Sequence, residues 1–120
     1  MTNELISFVT EKTKKLIAAP SVCPESKAVA KAWLAAVGTD NEAEATKKYI
    51  QELEEDITPI DGLIAFAGSE DGLKYFGTEA ARNLLMHAKE IKVNGAQYCD
   101  CPACAAAEAI LSKKEVLLAE

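Results

Sequence analysis

The chain has 120 residues and a net charge of −6, and 49% of it is hydrophobic but only 6% aromatic. The acidic balance argues against nucleic acid, which needs a basic face to displace counterions, and against a polybasic membrane anchor. Abundant alanine, leucine, glutamate and lysine with few β-branched or aromatic residues point to helix rather than sheet, in an amount that suits one domain spanning residues 1–120.

The first predicted helix runs from Asn3 to Ala19, with Ile6, Val9, Leu16 and Ile17 on its inner face and Glu11, Lys12, Lys14 and Lys15 on its solvated side. Pro20 ends it. The second begins at Cys23-Pro24, because proline at the first helical position sacrifices no hydrogen bond and its fixed φ suits a helix start. It turns Ala28, Ala32, Trp33 and Ala36 inward and stops at Gly38, a left-handed cap. Thr39 opens the third helix, with Glu42 completing a capping-box pattern, and Thr46, Tyr49, Ile50, Leu53 and Ile57 line its inner face.

Thr58-Pro59 starts a fourth helix carrying Ile60, Leu63, Ile64 and Ala67 to Gly68, and a short helix or turn spans Ser69 to Phe76. Thr78 caps the next helix, with Leu84, Leu85, Ala88 and Ile91 inward and Asn94-Gly95 at its end. After a loop from Ala96 to Asp100, Cys101-Pro102 begins a last helix with Ala107, Ile110, Leu111, Leu117 and Leu118 on its apolar side. Short connections favour antiparallel neighbours, so the expected architecture is an all-α, compact bundle of about five main helices plus one short helix.

No positively charged start with an apolar run marks a secretory signal, and no apolar stretch approaches the roughly 20 residues a membrane span needs. A soluble, cytoplasmic protein is expected. In that compartment clustered thiols are metal ligands or redox groups more often than disulfides.

The chemistry concentrates in Tyr98-Cys99-Asp100-Cys101-Pro102-Ala103-Cys104, where three of the four cysteines of the chain fall within six positions. Core-filling cysteines scatter singly. Cys101 and Cys104, one turn apart at a helix start, can aim their sulfurs at one centre, and Cys99 can fold back onto it from the loop. Structural zinc is closed by four protein ligands, and Cys23 is the natural fourth. Cys23 and Cys101 each precede a proline at a predicted helix start, where unpaired N–H groups and the helix dipole stabilise thiolates. The expected site is therefore zinc on Cys23, Cys99, Cys101 and Cys104, in a non-enzymatic binding or scaffold protein whose protein or small-molecule partner the sequence does not name. Two alternatives use the same cysteines. Cys101-Pro102-Ala103-Cys104 is a C-x-x-C for thiol redox chemistry, though without the strand that precedes it in disulfide oxidoreductases. An iron–sulfur cluster would also take four cysteines, in a spacing unlike the familiar ferredoxin runs.

Other residues read as structure. His87, the only histidine, is a substitute ligand only if Cys23 is out of reach. Glu52, Glu54, Glu55 and Asp56 read as a solvated helix end, since a di-iron bundle would need paired Glu-x-x-His motifs. The glycines form no phosphate-binding loop.

The segments Pro59-Ile60-Asp61-Gly62-Leu63-Ile64-Ala65-Phe66-Ala67, Tyr98 to Cys104 and Ala19-Pro20-Ser21-Val22-Cys23 together resemble a small family of uncharacterised bacterial all-helical proteins, over nearly the whole chain. Some members of that family carry the label of a heat-shock chaperone of the ninety-kilodalton class. The resemblance implies a soluble bacterial helical domain and adds no catalytic residues. The large chaperone's nucleotide pocket and size are absent, so its activity is not carried over.

Overall fold

A computed structural model describes residues 2–119, which form eight α-helices: α1 (Asn3–Ala18), α2 (Pro24–Ala36), α3 (Glu42–Asp56), α4 (Ile60–Ala67), α5 (Glu70–Phe76), α6 (Thr78–Val93), α7 (Pro102–Leu111) and α8 (Lys114–Ala119). The only extended pairing among the described residues is one isolated antiparallel bridge between Pro59 and Tyr98, so the chain is all-α. The helix count exceeds the expected five main helices and one short one partly because the last predicted helix is two. Ser112 turns its hydroxyl back onto the Ala109 carbonyl at 2.5 Å, and the N–H of Lys113 bonds to the carbonyl of Ile110, three residues back. That tightening breaks the α-helical ladder before Lys114.

The chain divides into two compact units, Met1–Ile57 with Asp100–Glu120, and Thr58–Cys99. In the first, α2 packs on α3, α1 packs on both α2 and α7, and α3 also meets α7 and α8. Its centre is built on the face read from α3: Thr46, Tyr49, Ile50, Leu53 and Ile57 are all buried. Trp33 of α2 is 1% exposed and lies with its ring centroid 5.8 Å from that of Tyr49. Two hydroxyls satisfy the polar ends of these aromatics: Trp33 Nε1–H donates to Thr46 Oγ1 at 3.0 Å, and the Tyr49 and Thr13 hydroxyls share a 2.8 Å hydrogen bond. Burying such groups without partners would cost about 1–3 kcal/mol each.

Two inner faces differ from the sequence reading. On α1, Leu5, Val9, Thr13 and Leu16 are buried while Ile6 and Ile17 sit half-exposed; Thr13 takes the central position because Tyr49 needs its hydroxyl. On α2, Ser26, Ala30 and Trp33 face inward, and Ala28 and Ala32 are exposed. A helix can bury only one stripe, and the indole fixes its rotation because it carries far more apolar area than any alanine. Ala28 and Ala32 instead line a shallow groove with Ala36 and Ala45.

Burial of Tyr49 pushes its hydroxyl up to about 12, with the Thr13 hydrogen bond pulling weakly the other way. The unfolded chain ionises this group near its ordinary value of 10. The folded state is therefore favoured in full below pH 10, and this contribution is lost as pH rises through 12. It amounts to about 2–3 kcal/mol, at roughly 1.4 kcal/mol per pH unit. Urea denaturation of Tyr49→Phe between pH 9 and 12 is expected to lack this component of the stability loss. An unchanged pH slope in the variant would contradict the assignment.

The second unit packs α4 against α5 and α6, and α5 against α6. Gly72 is required where α5 meets the end of α4, since a Cβ there would lie 1.9 Å from the Phe66 carbonyl oxygen. Three helix starts are not as the sequence suggested. The third helix begins at Glu42, with no side-chain cap. Thr39 instead donates to the Ala36 carbonyl, and Glu42 reaches back to accept the N–H of Gly38. Thr78 is the first helical residue after Gly77, whose φ of 86° makes the turn. Pro59, not Thr58, is the N-cap of α4, with an extended backbone (φ −62°, ψ 148°) and no side-chain cap, and Thr58 and Pro59 pair with the segment expected to be a plain loop. Ile60 N–H donates to the Gln97 carbonyl and Cys99 N–H to the Thr58 carbonyl, both at 2.9 Å. Proline suits this position because a single bridge asks it for no donor.

Candidate metal centre

Cys101 is the N-cap of α7, with an extended backbone (φ −61°, ψ 158°) and Pro102 at the first helical position. Its Sγ accepts the N–H of Cys104 at 3.4 Å, so sulfur fills the role that oxygen usually plays at this position. The same bond brings Cys104 onto the first turn, directly above Cys101. Cys99 follows the bridged residue Tyr98, its backbone held by the Thr58 carbonyl. Cys99 and Cys104 are 9% and 8% exposed, and Cys101 is half-buried.

The outcome is convergence: the sulfurs of Cys99, Cys101 and Cys104 all lie within 4.8 Å of one another. Tetrahedral zinc with Zn–S bonds near 2.3 Å sets its sulfurs roughly 3.8 Å apart. Small side-chain rotations therefore suffice to place all three on one ion. Among the described residues this is the only group of histidine, cysteine or carboxylate side chains so arranged. His87 is exposed on α6 and does not belong to it.

Cys23 is the N-cap of α2 and repeats the local geometry of Cys101. Its backbone is extended (φ −78°, ψ 155°), Pro24 follows, and its Sγ accepts the N–H of Ser26 at 3.4 Å. Its sulfur lies outside the 4.8 Å group. The turn that carries it nevertheless touches the start of α7, where Ala103 N–H donates to Ser21 Oγ at 3.3 Å. From Ser21 to Cys23 the backbone spans at most roughly 7 Å. Sequence reasoning missed Ser21 altogether, because a lone serine beside a proline turn carries no periodic or spacing signal.

The acidic end of α3 has its own partners. Ser26 donates to Asp56 at 2.7 Å, and Lys114 pairs with Glu54. The Glu52 carboxyl is held above the usual range by sharing a hydrogen bond with Asp56, with a smaller effect of nearby negative charge. These residues form a solvated helix end.

The cluster offers three soft sulfur donors to a metal before any backbone moves, which suits zinc and iron rather than hard cations. No helix of the described residues is long and apolar enough to cross a membrane. No protein-family model, curated protein or solved structure gives a significant match to the chain.

Proposed function

We propose that this is a non-enzymatic, zinc-binding helical protein whose metal is held by Cys99, Cys101, Cys104 and Cys23. Three preassembled sulfurs in one short, largely buried segment carry the reading. Cys23 supplies the fourth thiolate by a short inward movement of the α1–α2 turn, which already rests against α7 through Ser21 and Ala103. Four thiolates on a divalent ion leave a net charge of −2. The N-termini of α2 and α7 offset it, each through an N–H aimed at a cysteine sulfur. The ion then staples two segments 76 or more positions apart in sequence, a scaffold role in which stability follows metal supply.

Elemental analysis and a visible spectrum of freshly purified, untagged protein test this together. About one equivalent of zinc per chain is expected, with a colourless solution and a fall in melting temperature on chelation. Less than about half an equivalent, with no effect of chelator on stability, contradicts the proposal. A brown solution containing iron and sulfide would replace it with an iron–sulfur protein. A metal-free chain with a reversible Cys101–Cys104 disulfide would replace it with a thiol-exchange protein.

A further inference from the structure

We infer that Ser21 is a positioning residue for the metal site, the latch that keeps Cys23 within reach of the other three cysteines. The inference rests on the four-cysteine zinc reading above. The first turn of α7 has no N–H at Pro102, so Ala103 and Cys104 carry the first donors that need partners. The Cys104 N–H goes to Cys101 Sγ and the Ala103 N–H goes to Ser21 Oγ. Both are thus satisfied from cysteine-bearing segments, one local and the other 82 residues away in sequence. Val22 alone separates Ser21 from Cys23, and the Val22 N–H folds back to the Ala19 carbonyl at 3.2 Å. This short turn leaves Cys23 little freedom once Ser21 is anchored. Without the hydroxyl, the hydrogen bond from Ala103 to the turn is lost, and Cys23 must find the ion against greater conformational entropy.

The test is a cobalt(II) titration in place of zinc, following the thiolate-to-cobalt charge-transfer band, whose intensity grows with the number of coordinated sulfurs. Wild type, Ser21→Ala, Ser21→Thr and Cys23→Ser are compared. Ser21→Ala is expected to bind roughly 10-fold more weakly, the scale of one lost hydrogen bond. Its band should fall by about a quarter, toward that of Cys23→Ser, as one of four thiolates disengages. Ser21→Thr keeps an Oγ and should restore wild-type affinity and intensity. A merely structural serine would alter the melting temperature of the metal-free protein but leave the sulfur count unchanged. The inference is overturned if Ser21→Ala matches wild type in affinity and band intensity while Cys23→Ser does not. If Cys23→Ser itself matches wild type, or wild type binds no cobalt, the four-cysteine reading fails and the role of Ser21 falls with it.

Discussion

Cys104→Ser is expected to weaken zinc binding by more than roughly a hundredfold, exceeding what the loss of an outer partner costs. Cys104 is tightly held: it is 8% exposed, it stands on the first turn of α7, and its N–H is committed to Cys101 Sγ. Serine has nearly the same shape, so the folded chain should survive with a modest penalty of about 1 kcal/mol for the buried hydroxyl, which can donate within its own helix. The discriminating readout is therefore stability with and without metal. At a free zinc concentration a thousand times its dissociation constant, binding adds about 4 kcal/mol to a protein that binds only when folded. Wild type should gain that increment and Cys104→Ser should not, while the two remain close in excess chelator. Equal gains in both proteins would mean that the metal binds elsewhere.

Trp33→Ala is expected to cost about 3–5 kcal/mol, the range for removing a large buried aromatic. Against a typical total of about 5–15 kcal/mol, that removes a large fraction of the stability of the unit. The loss has three sources: the apolar area of an indole 1% exposed, its contact with Tyr49, and its hydrogen bond to Thr46. Thr46 is not stranded, because its hydroxyl also donates to the Glu42 carbonyl at 2.8 Å. Trp33→Phe should therefore recover most of the loss. Urea denaturation followed by circular dichroism decides the matter, since this tryptophan is the only one in the chain and its fluorescence is lost with it. A cost below about 1.5 kcal/mol, the scale of a conservative core swap, would show that the core can close over the gap.

What the sequence made legible was local chemistry. Cys23-Pro24 and Cys101-Pro102 announce helix starts because the proline ring sets φ and needs no partner, and both start where expected. The α3 face was readable because five residues in helical spacing, from Thr46 to Ile57, all favour the same side. Three cysteines within six positions could hardly avoid meeting. The parts that were not legible depend on distant partners or on competition between local options. The bridge holding Cys99 joins residues about 40 positions apart through backbone groups, which have no residue-specific signature. The Ser21–Ala103 bond spans 82 positions. Thr39 had two uses, as a helix cap or as a turn closing onto Ala36, and the preceding turn at Gly38 selected the second. Ala28 and Ala32 were misplaced because alanine is compatible with either face of a helix and only Trp33 decides the rotation.

X-ray absorption at the zinc edge of the protein as purified measures most directly whether four sulfurs hold one ion. A single shell of four sulfurs near 2.3 Å is expected, falling to three with one lighter atom in Cys23→Ser. A shell dominated by nitrogen or oxygen near 2.0–2.1 Å, or a wild-type spectrum that Cys23→Ser leaves unchanged, would contradict it.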